Sequence, residues 1–173
     1  MGTSTRVALV DDDSDYRQLY RLWLPEGYDV IEAADGREAL DLVDDSVDVV
    51  VLDREMPNAD GETVAAELRE RSVDPAVVMV SGVEPDVDIL DIPVDSYLTK
   101  PATRDALLSV ISTVRSWREY APERRDLLGL AARKAAVSEA KRAVALAESE
   151  AYRRAEERLA DHQLDPIDLP IER

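Results

Sequence analysis

The chain has 173 residues, 45% of them hydrophobic, and a formal net charge of −17; that length suits one core of ordinary size with an appendage, since a single domain takes about 100 to 150 residues. With no cysteine and one histidine, His162, the sequence excludes disulfides, thiolate metal sites, a cysteine nucleophile and a histidine-built zinc site. No apolar run approaches the roughly 20 residues of a membrane span, so a soluble cytoplasmic protein with no membrane partner is expected.

The first strand is expected at Val7–Val10, followed by an amphipathic stretch, Asp15–Leu24, whose apolar residues recur three or four apart as on a helix with one buried face. The alternation continues with strands at Asp29–Ile31, Val47–Leu52, Ala76–Val80 and Ser96–Leu98 and helices at Gly36–Val43, Gly61–Arg71 and Arg104–Trp117. Such alternation predicts an α/β fold, a five-stranded parallel sheet with helices on both faces. The run Val49-Val50-Val51-Leu52 cannot sit half exposed, which puts its strand at the centre. Between Ser81 and Tyr97 stand Pro85, Pro93 and four aspartates, so any fourth helix there is brief or poorly formed.

Pro122 marks the expected end of this domain, residues 1–121. From Glu123 to His162 the chain is rich in Ala, Glu and Arg with a single glycine, Gly129, a composition that strongly favours helix. Leu130, Val137, Val144 and Ala151 recur every seven residues, a stripe that one helix side offers to a partner. Arg133 and Arg154 interrupt the second seam of that repeat, so a helical hairpin or a loose dimer competes with a coiled coil. The helical segment is expected over 122–163, and the tail, 164–173, with Pro166 and Pro170, to fray.

Charge divides the same way. Residues 1–122 hold 27 acidic and 11 basic side chains, residues 123–173 hold 11 and 10. An acidic surface repels nucleic-acid phosphates and stays hydrated where salt screens charge. Lysine occurs only as Lys100, Lys134 and Lys141, which points toward a high-salt interior; a generally acidic protein is the alternative.

Ligands of open parallel sheets bind beyond the carboxyl ends of the strands. At those ends stand Asp11 and Asp12, Asp53, Ser81 and Lys100. Taken singly, each has a plainer explanation: an acidic helix start for Asp11 to Asp13, a turn residue for Asp53, turn chemistry for Ser81 before Gly82, a surface lysine for Lys100. Together they form a set. Converging carboxylates are relieved by a hard divalent cation such as Mg2+, and phosphoryl transfer requires a nucleophile, that cation, a second positive charge and a hydroxyl donor.

The segments Val7-Ala-Leu-Val-Asp-Asp-Asp13, Val49-Val-Val-Leu-Asp-Arg-Glu-Met-Pro57, Val78-Met-Val-Ser-Gly82 and Tyr97-Leu-Thr-Lys-Pro101 resemble the successive signatures of the two-component receiver family. The resemblance covers roughly residues 5–121. It implies a flavodoxin-like (βα)5 fold and an Asp53 that accepts a phosphoryl group from a sensor histidine kinase. It further implies Mg2+ held by Asp11, Asp12, Asp53 and the backbone carbonyl of Glu55, Lys100 pairing with the phosphoryl oxygens, a cis Lys100–Pro101 bond, and Ser81 with Tyr97 as the switch pair. Beyond assisting its own phosphorylation and dephosphorylation such a chain is not an enzyme. The spacing from Ser81 to Tyr97, 16 positions, is a few short of the family's usual one, and Glu55 and Val83 stand where the lifetime of the phosphoryl group is tuned.

The segment from Arg124 to Lys141, continued through Ser149-Glu-Ala-Tyr152 and Leu159, resembles the HalX domain that follows receivers in salt-loving archaea. A protein interaction or homodimer element, through the receiver face or the C-terminal helix, is the favoured output. The alternatives are a transcriptional regulator touching DNA through Arg124-Arg125, Arg133-Lys134, Lys141-Arg142 and Arg153-Arg154, and a phosphorelay intermediate without its own output. Interspersed acids weigh against DNA, because alternating charges usually make a solvated, ion-paired face.

Overall fold

The computed structural model describes residues 4–162 and 164. Five strands, β1 (Thr5–Val10), β2 (Tyr28–Ala33), β3 (Val49–Leu52), β4 (Ala76–Ser81) and β5 (Ser96–Thr99), form one sheet in the order β2-β1-β3-β4-β5. All four pairings are parallel. Four helices connect or follow them: α1 (Ser14–Trp23), α2 (Gly36–Leu42), α3 (Gly61–Glu70) and α4 (Arg104–Trp117). Each begins where a side chain can take an orphan backbone N–H, at Asp13, Asp35, Asp60 and Thr103, so turn chemistry written in the sequence sets the helix starts. The α/β expectation, and the central place of β3, are met.

Side chains alternate across the sheet, as strand geometry requires. Ala8, Val10, Val50 and Leu52 point into the core under α2 and α3 with Val64 and Leu68. Val7, Leu9, Val49 and Val51 point into the opposite core with Tyr20, Leu107, Ile111 and Trp117. Between β4 and β5 the fourth connecting helix is reduced to a 3-10 turn, Val87–Asp91, capped by Asp86, in keeping with the prolines around it.

The C-terminal segment is helical, as expected, and takes the form of a helical hairpin and not of a single helix. Its helices are three: α5 (Pro122–Ala140), α6 (Ala143–Ala147) and α7 (Glu150–Ala160). The chain turns extended at Lys141 and Arg142, where no side chain caps the helix start, and Ser149 caps α7 by accepting from the Tyr152 N–H, so a strong cap residue sets where the last helix begins. The hairpin folds back on itself: Tyr152 and Ser138 share a hydrogen bond at 2.7 Å, and the Lys134 ammonium lies 4.7 Å from the Tyr152 ring centre.

Nor does α5 wait for a partner. It packs on β5 and the 3-10 turn, as α7 does on that turn. Leu128 and Ala132 join one core while Leu130 and Val137 join the other, which places α5 along the outer edge of β5 with both cores in reach. The heptad stripe splits accordingly: Leu130 and Val137 are buried against the sheet domain, whereas Val144 is 75% exposed. Burial of Leu127, Leu128, Leu130 and Val137, at roughly 2 kcal/mol each, makes this docking a substantial part of the fold and covers a strand edge that would otherwise pair with other chains. Pro122, expected to close a domain, is the first turn of this docked helix. Leu164, the first residue of the expected tail, packs against the α1/α4 core; the rest of that tail, and residue 163, lie outside the described residues.

Two arginines assigned to a solvated face are also inside. Arg125 and Arg133 are 4% and 8% exposed. Arg125 pairs with Asp95 at 3.1 Å and Asp74 at 2.7 Å and donates to the Pro75 carbonyl. Arg133 donates to the carbonyls of Val94 and Leu90.

Candidate functional site

Parallel pairing continues one step beyond the strands and sets the site. The Asp53 N–H donates to the Val10 carbonyl at 2.8 Å, and the Asp11 N–H to that of Ala33 at 3.2 Å. On the far side the Lys100 N–H donates to the Ser81 carbonyl at 2.7 Å. The residues after β1, β3 and β5, and Ser81 at the end of β4, are thus held in register by the sheet itself, a more rigid support than a loop gives. Gly61, at the start of α3, has no room for a Cβ, which would collide with the Asp53 carbonyl oxygen; the helix is pressed against the back of the site.

Lys100 brings the set together. Its ammonium donates to Asp11 Oδ2 at 2.7 Å and Asp53 Oδ1 at 3.2 Å and lies 4.0 Å from the Tyr16 ring centre. Carboxylate oxygens of Asp11, Asp12 and Asp53 all lie within 4.8 Å of one another. Asp11 and Asp53 are buried and Asp12 is exposed. Asp13, the third of the triplet, caps α1 instead, accepting from the Asp15 N–H at 2.8 Å. The triplet therefore serves both readings, two residues at the site and one at the helix start.

Three carboxylates against one lysine leave negative charge in excess, and its effect shows on Asp53. Burial, reinforced by the charge of Asp11 and only partly opposed by Lys100, raises its pKa from 3.8 to about 6. For Lys100 burial alone would depress the ammonium, yet the hydrogen bonds and charges of Asp11 and Asp53 push it above its ordinary value. A hard divalent cation with oxygen ligands would relieve one deficit here, the missing positive charge. Asp12 opens onto a cavity of about 520 Å3 lined also by Arg54, Glu55, Met56 and Pro57, so the charged cluster has access to solvent on that side.

Ser81 and Tyr97 meet through a third residue. The buried Ser81 Oγ accepts from the Val83 N–H at 3.2 Å, and the Tyr97 hydroxyl donates to the Val83 carbonyl at 2.6 Å. Tyr97 is 3% exposed and so stands turned inward, with both side chains hung on one residue of the β4 loop. The Lys100–Pro101 bond is cis.

Sequence reasoning missed Tyr16, which lies under Lys100, and Arg17, whose guanidinium donates to the Asp11 carbonyl at 2.6 Å. Both sit one turn into α1, where helical spacing from the Asp triplet was the available signal. It also missed Arg54, which borders the cavity beside Asp12, and Asp95, for which no local pattern existed.

Residues 7–112 match the response regulator receiver domain family. The chain belongs to that family. A Haloferax volcanii protein named provisionally as a transcriptional regulator is 46% identical over 106 residues, 61% of this chain and 18% of its own length. The transcriptional regulatory protein CpxR of Escherichia coli K12 is 37% identical over 112 residues, 63% of this chain and 48% of its own. The chain thus spans less than half the length of these relatives. The receiver domain of the Francisella response regulator 1452 superposes with a TM-score of 0.61 at 30% identity, covering 67% of this chain and 99% of that one. A CheY-like receiver from Methanospirillum hungatei gives 0.61 at 25%, covering 66% and 96%. The receiver is the module of two-component response regulators, and its matched residues end before α5. No helix among the described residues is long and apolar enough to cross a membrane.

Proposed function

We propose that this receiver is a phosphorylation-controlled response regulator whose acceptor is Asp53 and whose donor is the phosphohistidine of a sensor kinase. The observation that carries this is the charge imbalance at registered strand ends: three carboxylates, one lysine and an opening beside Asp12. In the transfer the P–N bond of the donor breaks as a P–O bond forms to an Asp53 oxygen, and the donor imidazole keeps its electron pair. A pKa of about 6 leaves Asp53 ionised at neutral pH, while burial strips water from the attacking oxygen. Asp11, Asp12, Asp53 and the Glu55 carbonyl would hold Mg2+, which supplies positive charge to the phosphoryl oxygens when bound. Lys100 adds a second positive charge, and Ser81 supplies a hydroxyl donor once it leaves the Val83 N–H. Because Tyr97 hangs on the carbonyl of the same Val83, movement of Ser81 disturbs the tyrosine, which makes the pair a switch.

The C-terminal hairpin, HalX-like in sequence, serves protein interaction in this scheme, with phosphorylation changing which surface of the receiver or hairpin a second copy or another protein meets. The names of the relatives favour a second reading, contact with DNA, and the chain's use as a phosphorelay intermediate is a third. Burial of Arg125 and Arg133 removes one cation from each of two basic pairs that a DNA-binding helix would need. The acidic receiver and its resemblance to salt-loving archaeal chains fit a halophilic, cytoplasmic setting.

Intact-protein mass spectrometry after incubation with Mg2+ and a small phosphodonor in high salt tests the reading, with Asp53→Asn and Lys100→Ala alongside and sizing of each form. One phosphoryl group on the wild type and none on Asp53→Asn is expected, with Lys100→Ala binding metal but failing to respond. Uptake by Asp53→Asn would move the acceptor elsewhere. A size shift on uptake supports assembly; uptake without one favours relay or a different partner.

A further inference from the structure

Directly after Asp53 stands a cation that the site does not use. The Arg54 side chain is 13% exposed, and its guanidinium is shared between carboxylates of two different elements. Glu62 of α3 accepts from Nε at 2.8 Å and lies 2.6 Å from a terminal nitrogen, and Asp88 of the 3-10 turn takes the same terminal nitrogen. The Tyr97 hydroxyl is close enough to stabilise the charged form as well. On its open side Arg54 lines the cavity beside Asp12.

The 3-10 turn that Arg54 grips is also the ground on which the hairpin stands. Both α5 and α7 pack on it. Lys141, at the end of α5, pairs with Asp86 at 3.1 Å, and Arg154 of α7 approaches Asp91 at 3.9 Å. Arg133 donates to the Leu90 carbonyl at 3.5 Å. A full helix between β4 and β5 would carry its own hydrogen-bond ladder and hold its place alone. Five residues of 3-10 turn have little hydrogen-bond ladder of their own; Ile89 and Leu90 anchor its inner side in the core, and the ion pairs of Asp86, Asp88 and Asp91 bear on its exposed side.

We propose that Arg54 is a positioning residue that reports the state of Asp53 to the C-terminal hairpin, through its pairing with Asp88 and the neighbouring Asp86–Lys141 contact. A phosphoryl group carries about −1.5 to −2 charge and three acceptor oxygens, and a guanidinium prefers such a bidentate partner. Glu62 and Asp88 are 43% and 54% exposed, so water competes for both and neither holds Arg54 strongly. Negative charge gathered at the mouth of the site draws Arg54 from Asp88, the turn loosens, and α5 and α7 lose their footing at residues 84–91.

The inference rests on Asp53 being the acceptor. Its test is hydrogen exchange by mass spectrometry on the full chain, with and without Mg2+ and beryllofluoride as phosphoryl mimic, on wild type, Arg54→Ala, Arg54→Lys and Asp88→Asn; phosphoryl uptake is measured in parallel. In the wild type the mimic is expected to raise exchange several-fold over residues 84–91 and 134–147. Arg54→Ala and Asp88→Asn are expected to show the raised exchange without the mimic and no further rise with it, and Arg54→Lys, which keeps a charge toward Asp88, to retain a difference. Asp88 is exposed, so its variant tests the contact even where Arg54→Ala folds poorly. Uptake by the wild type together with the same protection and the same rise in the variants as in the wild type would overturn the role of Arg54 alone. No uptake by the folded, metal-replete wild type would overturn the acceptor reading, and this inference with it.

Discussion

Two clusters of buried charge lie at opposite ends of β4 and β5, and they are built on different rules. At the amino end Asp95 is closed in: one oxygen accepts from Arg125 Nε at 3.1 Å, the other from the Val77 N–H at 2.7 Å, with Arg69 at 3.4 Å. Arg125 also reaches Asp74 and a carbonyl. Every charge has a partner and the cluster ties the C-terminal helix to the sheet. At the carboxyl end Asp11, Asp12 and Asp53 share a single Lys100, and one of the three carboxylates faces solvent. A balanced, closed cluster holds elements together; an unbalanced one, open on one side, suits the binding of positive charge, as the proposed phosphoryl acceptance requires.

The sharpest break between the two is chemical. Asp53→Asn is expected to abolish phosphoryl uptake while the chain still folds, read by intact mass; Asp95→Asn is expected to leave uptake in place, and loss of uptake there would erase the distinction. Next in size is the closed cluster. Arg125→Ala strands Asp95, 3% exposed, without its main counter-charge, and a loss of about 3 to 5 kcal/mol in denaturant unfolding is expected; a loss below about 1 kcal/mol would mean that the cluster does not fasten α5.

A smaller effect separates the clusters by pH. Since the folded pKa of Asp53, about 6, stands above its ordinary 3.8, the folded state holds this proton more tightly than the unfolded state does. Its contribution to stability is complete below about pH 4 and is lost as pH rises through about 6. In chelator, Asp53→Asn is therefore expected to be more stable than wild type at neutral pH by up to about 3 kcal/mol, with the gap closing below about pH 4 and shrinking when Mg2+ is added. An equal gap at all pH values would show that burial does not strain this carboxylate. The smallest effect belongs to the surface: Lys141→Ala removes a pair whose members are 29% and 54% exposed, and unfolding should change by less than about 1 kcal/mol, more in low salt than in high. A larger, salt-insensitive loss would place Lys141 among the fastening residues.

Much of this molecule was legible in the chain itself. The apolar runs, the apolar residues three or four apart and the prolines are local signals, and they placed all five strands, the four connecting or following helices and the weak fourth crossover. The strand ends then named Asp11, Asp12, Asp53, Ser81 and Lys100 before any distance was known, because a parallel sheet gathers the residues after its strands whatever the side-chain details. Glu55 was named by resemblance alone; in the structure it is exposed and shares a cavity with Asp12.

What the chain could not show was the destination of its last helices. Leu130 and Val137 have the spacing of a partner-facing stripe, and Arg125 and Arg133 have the look of a solvated face, since local pattern records that a surface is apolar or charged but not what covers it. Tertiary structure decided that the receiver's own β5 edge and 3-10 turn cover it, that Asp95 meets Arg125, and that Arg54 spans α3 and the turn. The Asp95–Arg125 and Arg54–Asp88 contacts join residues 30 or more positions apart, and only the folded sheet, by leaving a gap where a fourth helix is short, makes the docking favourable.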